Sequence, residues 1–261
     1  MTNPIYFMSH LLYNLSIMIL KVDTHSHTVA SCHAYSTLKE NAQEAYEKGL
    51  EALVISDHGP AVQGAAPGYI LSGALAFVPD YVEGVRLVKG VEANIIDYEG
   101  GMDIKDKYFA CTEFAIAALH TVCIRDGGVM ENTDALLGAL QNPYVDVIAH
   151  SGNPQFPIDI DAYLDEVERQ NKLVEINNQS FVFRAGSEGN CKEIIRQCKR
   201  RGIRLTVASD SHFCKNIGEF GHAVRAIEEC GFPEELIVSS TKEKFLAYLE
   251  ERKRRCSGFE V

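Results

Sequence analysis

Residues 22–58 read VDTHSHTVASCHAYSTLKENAQEAYEKGLEALVISDH, and this stretch decides the fold. A short run at Val22–His27 precedes an amphipathic stretch at Leu38–Lys48, and a second apolar run follows at Leu53–His58. Apolar residues near helical spacing in the middle stretch predict a helix between two strands. A strand, a helix and a strand in this order predict a parallel β/α unit.

The same alternation continues along the rest of the chain. Five further apolar runs are present: Val85–Asn94, Phe114–His120, Val145–His150, Leu173–Asn178 and Leu205–His212. Three further amphipathic stretches predict helices: Asp159–Gln170, Glu188–Arg201 and Phe220–Cys230. The stretch Ala61–Pro79 is rich in Gly, Ala and Pro and predicts a loop with a short helix. Seven strands with intervening helices predict an α/β fold, a single distorted (β/α)7 TIM-like barrel, with eight strands as the alternative count.

The length and charge of the chain narrow the function classes. Its 261 residues suit one barrel, and 46% hydrophobic residues suffice for a full-sized core. The formal net charge of -11 repels the phosphates of nucleic acid, so we expect no nucleic-acid partner. Attraction for a small phosphorylated substrate must then be local, for example from bound metal.

The N-terminal residues differ from the barrel pattern. The apolar stretch Ile5–Leu20 contains polar residues such as His10 and Asn14, and no Lys or Arg precedes it. It predicts neither a membrane span nor a signal peptide. We expect residues 1–20 to be an extension to a barrel domain at 21–255. The extension is either a peripheral helix or, as we slightly favour, the product of a start site upstream of Met18.

Eight cysteines are present, and none forms a C-x-x-C pair. A chain of this size does not need a disulfide framework, so we expect mostly buried, reduced thiols in a cytoplasmic protein. The sequence leaves the oligomeric state open, with a homo-oligomer as one possibility.

Titratable side chains collect at the predicted strand ends. Seven of the nine histidines lie there or in the loop just beyond, together with one Glu and one Asp: His25, His27, His33, His58, Glu92, His120, His150, Asp210 and His212. The carboxyl ends of barrel strands converge on one face, so we expect these residues to meet in space. A single strand-end His is more often structural, but burying so many titratable groups without metal would be costly.

The spacing of these residues adds to the metal prediction. Residues i and i+2 of a strand point the same way, so His25 and His27 present two imidazoles together, as Asp210 and His212 present a carboxylate and an imidazole. Imidazole and carboxylate donors without thiolate suit zinc, iron or manganese. Nine donors are too many for one ion and fit two or three, with a carboxylate able to bridge.

Several of these motifs resemble those of the polymerase and histidinol phosphatase (PHP) family. The motifs, in order, are Val22-Asp-Thr-His-Ser-His-Thr28, Ser56-Asp-His58, Gly90-Val-Glu-Ala-Asn94, Ala149-His-Ser-Gly152 and Ser209-Asp-Ser-His212. The similarity covers about residues 22–250. Two more stretches, Val29-Ala-Ser-Cys-His-Ala-Tyr-Ser-Thr37 and Glu175-Ile-Asn-Asn178, resemble the YcdX-type phosphatase branch.

The resemblance implies three divalent metal ions, most often zinc, in a distorted seven-stranded barrel. The implied sets of ligands are His25, His27, Glu92 and Asp210 for one ion; the bridging Glu92, His120 and His150 for a second; and His33, His58 and His212 for a third. The implied reaction is hydrolysis of a phosphate monoester by a metal-bridging hydroxide. Asp210, Glu92 and His212 are the predicted catalytic residues, with Asp210 our candidate to protonate the leaving group.

Five other residues are candidates near this site. Asp23 and Asp57 precede strand-end histidines and either orient an imidazole or pair locally. Asn177, Asn178 and Arg184 follow the strand without a predicted ligand, and we predict that they contact the substrate. Each has a structural alternative. The two asparagines bind backbone in that alternative, and Arg184 is solvated, as most loop arginines are.

Other functions remain open at this point. An amidohydrolase uses H-x-H and a late Asp in a barrel, but here no Lys ends the fourth strand. A phosphodiesterase or exonuclease is disfavoured for long nucleic acids by the acidic charge and by the lack of a basic, aromatic-rich tract. A non-catalytic metal-binding protein would hold the same ions without turnover.

Overall fold

The computed structural model describes residues 18–258 and contains one sheet that is nearly closed. The strands are β1 (Val22–Asp23), β2 (Ala52–Ile55), β3 (Tyr81–Val82), β4 (Val85–Asn94), β5 (Phe114–Ala118), β6 (Val147–Ile148), β7 (Leu173–Asn177) and β8 (Leu205–Ala208). Seven of them pair in parallel in the order β1-β2-β4-β5-β6-β7-β8, and β3 pairs antiparallel with β4. The predicted seven-stranded TIM-like barrel is confirmed.

Eight helices surround the strands within residues 18–258. They are α1 (Leu38–Glu47), α2 (Ile70–Phe77), α3 (Asp106–Phe109), α4 (Gly128–Gln141), α5 (Ile160–Arg169), α6 (Ser187–Arg201), α7 (Gly221–Glu229) and α8 (Lys242–Cys256). The four predicted amphipathic helices are present as α1, α5, α6 and α7. The short helix predicted within Ala61–Pro79 is α2. Helices α3, α4 and α8 were not predicted.

Local sequence sets the helix ends. The hydroxyl of Thr37 accepts a hydrogen bond from the backbone N–H of Glu40, and the Glu40 carboxylate accepts one from the backbone N–H of Thr37, so α1 begins with a capping box. Helix α6 ends at Gly202, whose φ of 71° is left-handed and favours glycine. These capping residues set where the helices that connect successive strands begin and end.

The barrel closes differently at its two ends. At the N-terminal end, residues 237–239 lie between β8 and β1, and the N–H of Lys21 donates to the carbonyl of Ser239 at 3.3 Å. At the C-terminal end the two strand segments meet directly, because the N–H of Asp210 donates to the carbonyl of His25 at 2.9 Å. This uneven closure brings the segment after β1 into contact with the segment after β8, and both segments carry predicted ligands.

A buried ion-pair cluster lies at the opposite end of the barrel, before β6. Asp146 accepts hydrogen bonds from Arg252 Nε at 2.8 Å, Arg255 NH2 at 2.6 Å and the Tyr248 hydroxyl at 2.9 Å. The three donors come from α8, the helix that follows the last strand. Since Asp146 is fully buried, these bonds fasten α8 across the barrel floor.

Three sequence-based expectations concern the chain as a whole. Residues 1–17, which carry most of the predicted extension, lie outside the described part of the chain. No helix within residues 18–258 is both long and apolar enough to cross a membrane. The eight cysteines are free, but only Cys191 and Cys198 are buried, so the expectation of mostly buried thiols was wrong.

Candidate metal centre

All nine predicted ligands lie together at the carboxyl ends of the strands. Most of them follow shortly after the end of a strand, whereas Glu92 lies within β4, and their side chains reach the barrel mouth. Six of the nine residues are buried: His25, His27, His58, Glu92, His150 and Asp210. His120 and His212 are half-buried and His33 is exposed, so the cluster reaches from the barrel interior to solvent.

The Glu92 carboxylate occupies the middle of the cluster. Its Oε2 lies near three imidazole nitrogens, namely His58 Nδ1 at 2.8 Å, His25 Nε2 at 3.4 Å and His27 Nε2 at 3.6 Å. Its Oε1 lies near two others, namely His150 Nε2 at 3.3 Å and His120 Nε2 at 3.4 Å. Each oxygen thus faces a different group of histidines, which is the arrangement that a bridging carboxylate requires.

Asp210 presents its two oxygens to different partners. Oδ1 lies 3.3 Å from His27 Nε2 and 3.6 Å from His25 Nε2. Oδ2 accepts hydrogen bonds from Asn177 Nδ2 at 3.1 Å and from Arg184 NH2 at 3.2 Å. Burial would raise the pKa of the Asp210 carboxyl, but His25, His27 and Arg184 hold that pKa well below its usual range. Asp210 is therefore ionised at neutral pH.

A third group of imidazoles lies towards solvent. Nε2 of His33 is 3.0 Å from Nε2 of His212, and the ring of His33 stacks on that of His58 with centroids 4.9 Å apart. Donor atoms converge within 4.8 Å in three sets: His25, His27 and Asp210; His58, Glu92 and His120; and His27, His58 and His212. His27 and His58 each belong to two sets, so the sets form one continuous cluster.

Glu175, on β7, orients two of the histidine segments from behind. Its Oε1 accepts a hydrogen bond from His25 Nδ1 at 2.7 Å, and its Oε2 accepts one from the backbone N–H of His150 at 2.7 Å. Because the carboxylate can only accept, His25 carries its proton on Nδ1. Its Nε2 then faces Glu92 and Asp210.

A second series of hydrogen bonds orients His120. Asn94 Nδ2 donates to Asp103 Oδ2 at 2.5 Å, which turns the Asn94 carbonyl oxygen towards His120 Nδ1 at 2.7 Å. The oxygen accepts from Nδ1, and Nε2 of His120 faces Glu92 Oε1. Asp103 therefore acts on His120 through Asn94.

Asp57 acts on His27 in the same indirect way. The Ser31 hydroxyl donates to Asp57 Oδ1 at 2.6 Å and accepts from His27 Nδ1 at 2.9 Å. Asp57 thus orients an imidazole through a serine. Asp23 takes the structural alternative instead, since its carboxylate accepts from the backbone N–H groups of Ser209 and Gly218.

Two of the nine residues have strained backbones. His150 has a φ of 38° and Asp210 a φ of 54°, in the left-handed region that non-glycine residues rarely adopt. The hydrogen bond from His150 N–H to Glu175 and that from Asp210 N–H to the His25 carbonyl hold these conformations. Such strain is commonly stored at functional sites.

The pKa values of the central carboxylate and of two imidazoles in the cluster are all lower than usual. Burial would raise the pKa of Glu92, but His25, His120 and His58 hold it well below its usual range. Burial, and then the positive charge on His58 and His212, lower the pKa of His27 well below its usual value. Burial and then Arg184 lower the pKa of His150 to about 4. His27 and His150 are therefore neutral near pH 7, which is the form that binds metal.

Unsatisfied polar atoms show that the residues present fit divalent ions. Both carboxylate oxygens of Glu92, His58 Nδ1 and His150 Nε2 are buried, and their mutual contacts at 2.8 and 3.3 Å lack hydrogen-bond geometry. Leaving buried polar atoms unpaired costs about 1–3 kcal/mol each, so several in contact are expected only where another species binds. Imidazole and carboxylate donors that all point inwards suit a hard or borderline divalent cation.

The predicted substrate residues lie in two different places. Arg184 is half-buried beside Asp210, and Asn177 Nδ2 bonds both Asp210 and Glu175. The carboxamide oxygen of Asn178 accepts from the backbone N–H groups of His222 and Ala223 at the start of α7. Arg184 and Asn177 thus border the metal cluster, whereas Asn178 uses its carbonyl oxygen within the fold.

Comparison with known proteins places this centre in a family. Residues 23–253 match the PHP domain. The chain belongs to the PHP domain family. A relative from Acetivibrio thermocellus named "probable phosphatase" is 47% identical over 234 residues, covering 90% of this chain and 97% of that protein. One from Caldanaerobacter subterraneus subsp. tengcongensis, also named a probable phosphatase, is 44% identical, covering 92% and 94%.

A solved structure shares the PHP barrel fold. The histidinol phosphate phosphatase of Lactococcus lactis, complexed with zinc, L-histidinol and phosphate, matches 82% of this chain and 95% of its own. The TM-score is 0.60 and the sequence identity is 19%, so the likeness shows the fold alone.

Sequence reasoning gave no orienting role to four residues that hold the candidate ligands of this PHP centre, namely Glu175, Asn94, Asp103 and Ser31. Glu175 had a visible signal, because it is a charged residue in the middle of the apolar run Leu173–Asn178 and two residues from Asn177. On a strand that spacing directs both side chains to the same face. Asp103 lies in a loop with no such periodicity, and only the fold brings it to Asn94.

Proposed function

We propose that this protein is a metal-dependent phosphatase that hydrolyses phosphate monoesters of small molecules with three divalent ions, zinc first among them. Hydrolysis joins the oxygen of water to phosphorus and breaks the bond to the leaving oxygen. The products are an alcohol and inorganic phosphate. The PHP family membership and the names of the relatives support a phosphatase.

One observation carries the proposal, and it is the position of Glu92. Its carboxylate is buried, ionised and without a hydrogen bond, with one oxygen towards one group of imidazoles and the other oxygen towards a second group. Three ions bring a charge of +6 and the two carboxylates Glu92 and Asp210 bring -2. The resulting charge of about +4 attracts a phosphate dianion despite the acidic surface of the protein.

The proposed ligand sets are those that the family resemblance implies, and the convergent sets of the structure overlap with them in part. His25, His27, Asp210 and Glu92 Oε2 would hold one ion, and His120, His150 and Glu92 Oε1 would hold another. His33, His58 and His212 would hold the third, nearest to solvent. When bound, divalent ions supply an activated water and withdraw charge from the phosphate oxygens.

The residues of the chain itself bind and orient the substrate in this proposal. A cavity of about 210 Å³ is bordered by His58, His120, His150 and Arg184, and we assign it to the phosphoryl group. The Arg184 guanidinium offers donors to phosphate oxygens, while Asn177 and Asp210 hold it in place. Because Asp210 is ionised, we assign it to metal binding rather than to protonation of the leaving group.

The test is turnover of p-nitrophenyl phosphate by purified protein, with metal content measured on the same sample. We expect two to three ions per chain, with turnover lost in His120→Ala and Asp210→Ala. His222→Ala is the matched control, because His222 is exposed and no donor group includes it. Its activity should equal that of the wild type.

Other outcomes would overturn the proposal in distinguishable ways. Hydrolysis of bis(p-nitrophenyl) phosphate without monoester turnover would indicate a phosphodiesterase, and hydrolysis of amides alone an amidohydrolase. Bound metal without any turnover would indicate a metal-binding protein. Metal analysis also decides between zinc, manganese and iron.

A further inference from the structure

A second cavity opens beside the metal cluster and has a mixed wall. Its volume is about 480 Å³, and its deep part is formed by Asp210, Arg184 and His212. Its outer part is formed by three aromatic side chains, Tyr35, Phe183 and Phe213, which together are called the aromatic cleft below. They are 75%, 76% and 47% exposed respectively. The wall also includes His33, Gln179 and Asn216, so the three aromatic faces are the flat apolar part of an otherwise polar cavity.

Each aromatic residue is tied to a residue of the metal centre or its border. Phe183 directly precedes Arg184, and Phe213 directly follows His212. The backbone N–H of Tyr35 donates to the carbonyl of His212 at 2.9 Å. The backbone positions of the three residues are consequently fixed relative to the metal centre, which places their rings at the same cavity.

Exposed aromatic side chains grouped at a cavity usually mark a binding surface, because water contact with so much apolar area is unfavourable. Their flat faces favour offset stacking with another ring over contact with a charged or heavily hydroxylated chain. The only charged side chains of known sign in this cavity wall, within the described residues, are Arg184 and Asp210, and both lie at its deep end.

We propose that the aromatic cleft binds the leaving group of the substrate and selects phosphate monoesters whose alcohol carries a planar aromatic or heteroaromatic ring. The inference rests on the proposed phosphatase function and adds its substrate class. The phosphoryl group lies at the metal cluster beside Arg184, and the ring extends outwards between Tyr35, Phe183 and Phe213.

Equilibrium binding tests the cleft without relying on catalysis. Phenylphosphonate and methylphosphonate share the phosphoryl end and are not hydrolysed, so calorimetry with metal-loaded protein isolates the contribution of the ring. Ring stacking in the cleft should make phenylphosphonate bind about 10-fold more tightly than methylphosphonate, which corresponds to about 1.4 kcal/mol. Phe183→Ala and Tyr35→Ala should each remove most of that preference and leave methylphosphonate binding unchanged.

The matched control is Phe77→Ala, since Phe77 is 87% exposed on α2 and does not line this cavity. It should keep the preference for phenylphosphonate. The ratio of kcat/KM for p-nitrophenyl phosphate to that for glycerol 2-phosphate should fall in Phe183→Ala relative to the wild type. Comparison of this ratio between variants cancels the intrinsic difference in leaving-group reactivity.

Failure of the cleft and failure of the phosphatase give different results. Equal binding of the two phosphonates by the wild type, or an equal loss of both in Phe183→Ala, would overturn the cleft even if p-nitrophenyl phosphate is hydrolysed. Selective phenylphosphonate binding without monoester turnover would support the cleft and overturn the phosphatase.

Discussion

Glu175→Gln tests the idea that the metal centre depends on carboxylates behind its ligands. In the structure Glu175 accepts three hydrogen bonds, from His25 Nδ1 and His150 N at 2.7 Å and from Asn177 Nδ2 at 3.1 Å. A glutamine has one acceptor oxygen in place of two. If that oxygen stays with the His150 N–H, the amide NH2 faces His25 Nδ1 and forces the proton of His25 onto Nε2.

The magnitude follows from the bonds that change. A hydrogen bond to a charged group contributes about 1.5–3 kcal/mol, and loss of a partner that orients a metal-bound histidine costs about 10–100-fold in metal affinity or activity. Glutamine retains the volume of the side chain and two of its three bonds. We therefore expect a loss of about 10–100-fold in affinity for one ion, with a parallel loss in kcat/KM.

Competitive chelator titration, with bound metal measured by mass spectrometry, resolves this loss ion by ion. Glu113→Gln is the control, because Glu113 pairs with Arg86 before β5, at the end of the barrel away from the metal cluster. That variant should lose some stability but no metal. Unchanged chelator midpoints and unchanged kcat/KM in Glu175→Gln would refute the orienting role.

Three further predictions concern stability. Asp146→Asn should lower the free energy of unfolding, measured by urea titration, by about 3–5 kcal/mol, because it breaks the buried pair with Arg252. The control is Asp161→Asn, since the Asp161 side chain is 72% exposed, and this variant should change the free energy of unfolding by at most about 1 kcal/mol. Burial, and then Arg255, lower the pKa of the Lys172 ammonium to about 7 in the folded protein. Between about pH 7 and 10 the unfolded chain therefore binds a proton at Lys172 more tightly than the folded chain, so this residue makes the free energy of unfolding rise with pH. Lys172→Met should flatten this rise between pH 7 and 9, and equal slopes would contradict it. Removal of divalent ions by a chelator should lower the Tm, because ions bind the folded cluster, and a constant Tm after verified metal loss would count against it.

The limits of sequence-based prediction are visible in two helices. Helix α4 begins at Gly128 without a side-chain cap and contains a second glycine, so its helical signal is weak. Helix α8 is dominated by charged residues and buries only Phe245, Tyr248 and Arg252. The burial of Arg252 follows from its pairing with Asp146, which is distant in sequence.

The sequence by itself determined the seven strands and the nine residues at their ends. This was possible because alternation within a strand is local, so H-x-H at residues 25–27 directs both imidazoles to one side. It did not determine which donors share an ion. Glu92 faces His58 through one oxygen and His150 through the other because of the stagger between neighbouring strands, which no single segment encodes.

Only the tertiary structure brought Glu175 behind His25 and gathered the aromatic cleft. The cleft residues come from loops after β1, β7 and β8, and their proximity depends on the direct meeting of the first and last strand segments at the barrel mouth. Closure of the barrel is a long-range property, because the hydrogen bond between Asp210 and the His25 carbonyl joins residues far apart along the chain. Local periodicity therefore identified the candidate ligands, and barrel closure decided what they surround.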